Sequence, residues 1–354
     1  MTITEFTTLC FAVGCFTLSA CNGGGGSSSA PMPTTPPHAA DPEAATPHTA
    51  KLIEFGWDMP SMTWLRDHSQ ALQQTPFDGV VLDLQSDATG AMDEQQLSWQ
   101  VWRDKTIDLH DYAKAVAAFD AITVPPPMEN FLRLNVTPGT VDWFDEAGYA
   151  AVLANAGLVA GLAHRPGFVG IFLDVETYQA PLFDYLALPG RFQHSFGDYE
   201  SQVYRSGQLF LQALTAAYPG ITVLLSFGES WPTGELRLSP YGLLPAFLEG
   251  MLAAATPAVT IYDGYEQAYP YTTAQQFQAA AQRIHAQTHP QYRASFGVYD
   301  RAHPTPADLT NALTLARRFT DRYVWSYNEV YNWWDGTVPP AVMHAVIDAQ
   351  NSSH

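Results

Sequence analysis

The stretch Gly170-Ile171-Phe172-Leu173-Asp174-Val175-Glu176 has the pattern of a buried β-strand that ends in acidic residues. The segments on either side of it, residues 146–164 and 199–218, have the length and composition of helices. A strand between two helices is the repeating unit of α/β folds with a parallel sheet. The stretch therefore predicts one such unit, and the same pattern recurs along the chain.

The strand-then-helix pattern occurs eight times after residue 50. The predicted strands are residues 51–55, 79–84, 131–136, 169–175, 221–227, 259–262, 294–298 and 323–327. The predicted helices are about residues 61–74, 109–119, 146–164, 199–218, 240–255, 273–288, 306–318 and 340–350. An open, nucleotide-binding sheet is the alternative, but the chain has no GxGxxG turn or P-loop. The predicted fold is therefore α/β, a single (β/α)8 TIM barrel over residues 51–354.

The first fifty residues predict a secreted, tethered protein. An apolar run ends in Leu18-Ser19-Ala20-Cys21, which resembles the lipobox of bacterial lipoproteins and is too short for a transmembrane helix. The resemblance implies that residues 1–20 are a signal peptide and that Cys21 carries lipid. Residues 21–50, rich in Gly, Ser and Pro, predict a flexible tether. We expect a cell-envelope protein that meets the membrane only through this anchor.

The amino-acid composition limits the kinds of substrate or binding partner that the protein can have. The formal net charge is -19, with only 16 Lys and Arg residues, which argues against nucleic acid and favours neutral or cationic substrates. Aromatic residues make up 13% of the chain and charged residues 14%, as in a barrel with a large core and an aromatic cleft. We expect a monomer with a carbohydrate substrate and no cofactor.

Acidic and amide side chains follow most of the predicted strands. Active sites of TIM barrels lie at the carboxyl ends of the strands, so these residues are read together. They are Asp58, Asp83, Asn135, Asp174, Glu176, Asp263, Glu266 and Glu329. Helix capping is an alternative role for isolated members of this set.

Asp174 and Glu176 stand out within that set. The two-residue period of a strand places both on one face, towards the barrel mouth, and Ile171, Leu173 and Val175 on the other. Two close carboxyl groups oppose each other's ionisation, which raises one pKa and creates the general acid of a glycosidase. In the alternative reading, Asp174 pairs with an inward arginine on the third strand, such as Arg133.

The same stretch resembles the fourth-strand motif of family 18 chitinase-like barrels. Gly170 matches the glycine of the motif, Asp174 its last aspartate and Glu176 its catalytic glutamate, although Phe172 stands at the middle aspartate. The resemblance implies that Glu176 protonates the leaving oxygen and that Asp174 orients an N-acetyl group of the substrate. Tyr262 with Asp263 and the tryptophan Trp325 also match family positions. The chain further resembles bacterial lipoproteins with glycoside-hydrolase-like barrels.

Without an N-acetyl group, a second carboxylate has to act as nucleophile or base. The candidates are Glu329, Glu266, Asp263 and Asp58, and the distance to Glu176 would decide between retention and inversion.

Aromatic residues after the strands predict a trough in which sugar rings stack. The expected substrate-binding residues are Trp57, Asp58, Asp83, Asn135, Trp231, Tyr262, Trp325, Tyr327 and Trp333. Trp333 or the adjacent Trp334 could instead pack the barrel against its last helix. A long segment after the second strand, with Trp99 and Trp102, is expected to form one wall.

The predicted function is that of a glycoside hydrolase acting on a poly- or oligosaccharide. A non-catalytic carbohydrate-binding lipoprotein is the alternative from another class. A metal-dependent phosphodiesterase is a third possibility, disfavoured because basic residues are scarce at the strand ends. No zinc motif is present, and a Ca²⁺ or Mg²⁺ site at Asp83, Asp174 and Glu176 is left open.

Overall fold

The computed structural model describes residues 50–86, 95–124, 127–228 and 234–352. The predicted signal peptide, Cys21 and the predicted tether up to residue 49 lie outside these residues, as does Trp231. The lipid anchor, the tether and the role of Trp231 therefore stay predictions.

Nine parallel strands form the sheet. They are β1 (Lys51–Gly56), β2 (Gly79–Leu82), β3 (Asn130–Asn135), β4 (Phe168–Asp174), β5 (Thr222–Leu225), β6 (Thr260–Asp263), β7 (Tyr292–Ala294), β8 (Phe296–Tyr299) and β9 (Tyr323–Asn328). Their order in the sheet is β7-β6-β5-β4-β3-β2-β1-β9-β8, and every pairing is parallel. Each predicted strand overlaps an observed one.

The sheet closes at Ser295. The two ends of the strand order, β7 and β8, are consecutive in the chain and only this residue separates them. The backbone N–H of Ser295 donates to the carbonyl of Asp263 at 2.9 Å, and its hydroxyl donates to the carbonyl of Tyr323 at 2.7 Å. The predicted seventh strand, residues 294–298, is thus divided into two short strands, β7 and β8, which pair with β6 and β9. The predicted (β/α)8 barrel is confirmed.

Helices alternate with the strands. They are α1 (Met62–Asp67), α2 (Ala71–Gln74), α3 (Ala113–Ala121), α4 (Glu146–Ala163), α5 (Phe196–Ala217), α6 (Leu244–Ala254), α7 (Ala274–His285), α8 (Pro306–Phe319) and α9 (Pro340–Asn351). Several begin at a side-chain cap: Ser195 and Asp198 form a reciprocal capping box at α5. The first predicted helix is two short helices, α1 and α2, because residues 68–70 form a turn.

Two hydrophobic layers follow from strand alternation. The outer layer, between strands and helices, contains Ile171, Leu173 and Val175, as predicted. The inner layer fills the barrel with Ile53, Phe55, Val81, Phe131, Phe172, Leu224, Tyr262, Tyr323 and Trp325. Phe172 therefore faces inward, and alternation places Asp174 and Glu176 on the same inner face.

One helix of the described residues, α4, is long and apolar enough by composition to cross a membrane. Half of it is buried inside the protein, as in a core helix. Its residues Val152, Ala156 and Val159 belong to the outer layer of the core.

Candidate active site at the carboxyl ends of the strands

Asp174, the last residue of β4, is held by two side chains of β3 and by the backbone just after β4. Its Oδ2 atom accepts hydrogen bonds from Nη2 of Arg133 at 2.6 Å and from Nδ2 of Asn135 at 2.9 Å. Its Oδ1 atom accepts from the backbone N–H of Glu176 at 3.2 Å. The structure therefore has the ion pair with Arg133 that was the alternative reading. Asp174 is a fixed, buried charge beneath the mouth.

Arg133 lies inside a cage of aromatic rings. Its guanidinium carbon is 5.2 Å from the ring centre of Phe55, 5.9 Å from that of Trp57 and 5.5 Å from that of Trp99. Cation–π attraction and the bonded carboxylate of Asp174 together offset the cost of burying the charge. The three rings and the Arg133–Asp174 ion pair thus hold each other in position.

Glu176 follows Asp174 on the inner face and is half-buried. The hydroxyl of Tyr178 donates to its Oε2 atom at 2.5 Å. Burial, followed by repulsion from Asp174, raises the pKa of Glu176 to about 7, against the opposing effects of the Tyr178 hydrogen bond and Arg133. A carboxyl group of this kind exchanges its proton near neutral pH, as acid–base catalysis requires.

Glu266, in the half-buried loop after β6, is a carboxyl group whose ionisation is opposed by the charge of Glu176. Burial raises its pKa well above the ordinary range, and repulsion first from Glu176 and then from Asp174 adds to the effect. The preceding residue, Tyr265, has a left-handed backbone with φ of 42°. The backbone N–H of Glu266 donates to the carbonyl of Ser226 at 3.2 Å, which ties this turn to the neighbouring strand. Strained residues that are held so firmly are common at functional sites.

Asp263 lies beneath that turn and is fully buried. It accepts hydrogen bonds from the Tyr292 hydroxyl at 2.8 Å and from the backbone N–H of Tyr265 at 3.0 Å. These bonds hold the left-handed turn in place. The structure therefore places Asp263 as a support for Glu266.

Glu329, after β9, is compensated by its own partners. The Tyr299 hydroxyl donates to its Oε2 atom, and the Nε atom of Arg301 lies 3.6 Å from the same oxygen. Glu329 is not among the groups whose charges shift the pKa of Glu176 or of Glu266. Glu329 is therefore a weaker partner for Glu176 than Glu266.

Asp58 is turned towards the outer layer. Its Oδ2 atom accepts from the backbone N–H of Trp333 at 2.8 Å, and burial raises its pKa. The neighbouring acid is Glu54 of β1, a buried residue. Asp58 therefore anchors the chain after β9 and does not face Glu176.

Asp83 and Asn135 hold other parts of the site in place. Asp83 accepts from the hydroxyl of Ser98 at 2.5 Å and from the backbone of Ser98 and Leu84 at 3.2 and 2.8 Å. Burial raises the pKa of Asp83 to about 6. Asn135 is buried beside Asp174. Both residues therefore support the mouth from below.

Exposure separates the predicted sugar-binding rings into two groups. Trp57 is 45% exposed at the mouth, and the half-buried Tyr327 lies nearly parallel to Tyr269, with ring centres 5.9 Å apart. Trp325 is only 1% exposed, and its indole N–H donates to the carbonyl of Gly264 at 2.8 Å. Trp325 therefore forms a floor under the site.

Tyr262 and Trp333 are also buried. Tyr262 packs edge-on against Tyr323, at the amino-terminal end of the barrel interior. Trp333 packs edge-on against Phe77, 4.8 Å away, in the outer layer. The packing alternative for Trp333 is therefore the arrangement observed, since the loop after β9 folds back over the helices.

Tyr178 is a site residue that the sequence reading did not include. It is 38% exposed, touches Glu176 with its hydroxyl and lies against Trp99, with ring centres 5.0 Å apart. The sequence does indicate this position, because Tyr178 follows Asp174 and Glu176 at the same two-residue spacing.

Within the described residues, no group of three or more His, Cys, Asp or Glu side chains is arranged to hold a metal ion. Asp83, Asp174 and Glu176 each engage protein donors instead, as described above.

Comparisons with known proteins show no matching family model and no matching curated protein. The chain is similar to several solved structures at TM-scores below 0.5. A trimodular GH5_4 subfamily endoglucanase has a TM-score of 0.49 at 10% identity, over 86% of this chain and 60% of that one. A Bacteroides ovatus GH5 xyloglucanase has a TM-score of 0.48 at 10% identity, and the match covers 86% of this chain and 75% of that one. The Rhizomucor miehei endo-1,4-beta-mannanase has a TM-score of 0.46 at 10% identity, and the match covers 81% of this chain and 87% of that one. The chain thus spans less than two thirds of the first of these.

Proposed function

We propose that the protein is a glycoside hydrolase whose paired carboxyl groups are Glu176 and Glu266. The observation that carries this proposal is the position of two half-buried carboxyl groups just after the ends of β4 and β6, where the charge of Glu176 adds to burial in raising the pKa of Glu266. In this proposal the two groups titrate as a pair and pass through a state in which one is protonated and the other is ionised. One protonated and one ionised carboxyl group is what cleavage of a glycosidic bond requires.

The contacts of the pair favour one distribution of roles. The Tyr178 hydroxyl donates to Glu176 and so stabilises its ionised form. We therefore assign the proton to Glu266 and the negative charge to Glu176, the reverse of the role that the sequence resemblance implies for Glu176. In this assignment Glu266 protonates the glycosidic oxygen as the bond to the anomeric carbon breaks. Glu176 then bonds to that carbon or removes a proton from the attacking water.

Asp174 has a positioning role in this proposal. Its oxygens are occupied by Arg133, Asn135 and the backbone of Glu176, so it does not turn to hold a substrate N-acetyl group. Its charge acts on the pair through space by opposing further ionisation. A mechanism with two protein carboxyl groups fits this arrangement.

The proposed substrate is a neutral or cationic glycan. The exposed rings of Trp57 and Tyr178 offer flat apolar surfaces at the mouth, and Tyr327 is partly exposed there. Sugar rings stack on such surfaces through their C–H faces. The net charge of -19 opposes polyanions.

We also propose that the protein is anchored in the cell envelope through Cys21, on the strength of the lipobox-like residues 18–21. Labelling of cells with a fatty-acid analogue tests this proposal. The wild-type chain should carry the label and Cys21→Ser should not, whereas equal labelling of both would reject the anchor.

The activity is tested by screening the purified full chain for reducing ends released from neutral and amino-sugar glycans. Glu176→Gln and Glu266→Gln are compared with Glu249→Gln, an exposed residue of α6. Loss of activity in the first two variants alone supports the hydrolase. Glycan binding without turnover by every variant and the wild type would identify a carbohydrate-binding protein instead. Inactivation by a chelator would favour the phosphodiesterase.

Aryl glycosides with good leaving groups separate the two roles. A reactive leaving group needs little protonation, so such substrates restore activity when the acid is lost. We expect rescue of Glu266→Gln and no rescue of Glu176→Gln. The opposite result would make Glu176 the acid.

A further inference from the structure

We propose that Tyr178 is a positioning residue for Glu176 and that the segment after β2 holds it in place through Trp99. The mechanistic meaning of this inference rests on the proposed hydrolase function, but the contacts that carry it do not. They form a continuous series from a buried carboxylate in the loop after β2 to the carboxyl group at the mouth.

The series begins at Asp83, which follows β2 and is buried. Its two oxygens accept three hydrogen bonds, two of them from Ser98 at 2.5 and 3.2 Å. The backbone N–H of Leu97 also donates to the carbonyl of Leu84 at 2.8 Å. These contacts fix the short helical turn of residues 97–100 against the end of β2.

Trp99 lies on that fixed turn. One side of its ring faces Tyr178, with ring centres 5.0 Å apart and an angle of 34° between the planes. Its indole is also 5.5 Å from the guanidinium carbon of Arg133, which is bonded to Asp174. Trp99 thus supports both the tyrosine and the ion pair beneath Glu176.

Tyr178 completes the series. With its ring held by Trp99, its hydroxyl reaches the Oε2 atom of Glu176 at 2.5 Å. A phenol that donates to a carboxylate favours the ionised form and limits rotation of the group. The hydrogen bond leaves Oε1 as the oxygen available to a substrate.

Other groups act on Glu176 as well and have to be separated from Tyr178. They are Asp174, Arg133, Glu266, Tyr241 and Tyr269. Removal of the Tyr178 hydroxyl leaves all five in place. A shift in the titration of Glu176 in that variant therefore reports this hydrogen bond.

The test is direct titration of Glu176 in the full chain with carboxyl-¹³C glutamate, followed by NMR. The resonance that disappears in Glu176→Gln assigns the group. We expect Tyr178→Phe to move the midpoint of Glu176 upward by about one pH unit, because the ionised form loses its donor. Trp99→Leu should move it upward by less, and Trp99→Phe, which keeps a ring, by less still.

Tyr218→Phe is the matched control, because that hydroxyl donates to the carbonyl of Phe168 at the start of β4, away from the mouth. Its midpoint for Glu176 should equal that of the wild type. An unchanged midpoint in Tyr178→Phe would overturn the positioning role. Tyr178 is partly exposed, so its loss of one hydroxyl leaves the core intact.

Activity measured beside the titration separates this inference from the proposed function. A shifted midpoint in Tyr178→Phe without cleavage of any glycan by the wild type would retain the positioning role and reject the hydrolase. Cleavage by the wild type with an unshifted midpoint would retain the hydrolase and reject the positioning role. With both correct, the low-pH limb of kcat/KM moves upward with the midpoint.

Discussion

The Oδ2 atom of Asp174 lies 2.6 Å from the Nη2 atom of Arg133, and both side chains are buried beneath Glu176. The two charges compensate each other, yet the carboxylate remains near enough to raise the pKa of Glu176. The pair therefore has two separable effects, one on the stability of the barrel and one on the titration of the site.

Removal of the arginine should test the first effect. Arg133→Met leaves the carboxylate of Asp174 buried without its counter-ion, which typically costs about 3–5 kcal/mol in the free energy of unfolding. Denaturant unfolding measures this change. Arg301→Met is the control, because its pair with Glu329 is partly exposed and should contribute about 1 kcal/mol or less. Equal losses in the two variants would contradict the importance of the buried pair.

The titration of Glu176 predicts the pH dependence of activity. In the assignment proposed above, Glu176 has to be ionised, and its pKa is raised to about 7. The rate should therefore fall as the pH decreases below about 7. Asp174→Asn removes the repelling charge, so the low-pH limb of kcat/KM should move downward. An upward movement of that limb would show that Asp174 acts chiefly through geometry.

The free energy of unfolding should depend on pH through the ionisation of Glu54. It is 0% exposed, and its Oε1 atom accepts from Nδ2 of Asn328 at 3.2 Å. Its Oε2 atom and Oδ1 of Asp58 are both buried and have no hydrogen-bond donor within the part of the chain that the structure describes. Burial, and then the charge of Asp58, raise the pKa of Glu54 well above its ordinary value. A proton on Glu54 satisfies both oxygens.

Because the folded-state pKa of Glu54 is raised, its stabilising effect is complete below the unfolded pKa and is lost as the pH rises through the folded pKa. Glu54→Gln keeps a donor for Asp58 and cannot ionise. The free energy of unfolding of this variant should fall less between pH 5 and pH 9 than that of the wild type, by about 1–2 kcal/mol. Urea unfolding at both pH values measures the difference, and parallel profiles would contradict a protonated Glu54.

Replacement of Trp57 by alanine should affect glycan binding, whereas replacement of Trp333 by alanine should affect stability. Trp57 is largely exposed at the mouth, so Trp57→Ala should weaken glycan binding by about tenfold with little change in stability. Trp333 is buried in the outer layer, so Trp333→Ala should cost about 3–5 kcal/mol of stability. Affinity electrophoresis and thermal unfolding measure the two effects. Equal affinity of Trp57→Ala and the wild type would remove Trp57 from the binding surface.

The barrel and the inner face of β4 could be predicted because both depend on local patterns. Alternation within seven residues is enough to place Asp174 and Glu176 on one side and Leu173 on the other. The same reasoning, continued to residue 178, would have included Tyr178. Strand geometry fixes the side on which residues up to Asp174 lie without information from distant residues, and Glu176 and Tyr178 keep the same two-residue spacing after β4 has ended.

The partners of the site residues could not be predicted in the same way. Asn135 meets Asp174 because the register of β3 against β4 sets the two opposite each other. Trp325 and Trp57 both stand near strand ends, yet one is covered and the other is open, because depth in the barrel and the packing of loops decide exposure. These properties depend on contacts between segments far apart in the chain.

The break at Ser295 makes one seam in an otherwise continuous ring of strands. The proposed carboxyl pair lies to one side of that seam: Glu176 follows β4, Glu266 follows β6, and β5 is paired to both strands. Strands β4, β5 and β6 are paired in succession, so the loops that carry Glu176 and Glu266 start from one continuous piece of the sheet, and Ser295 borders this piece through its hydrogen bond to Asp263.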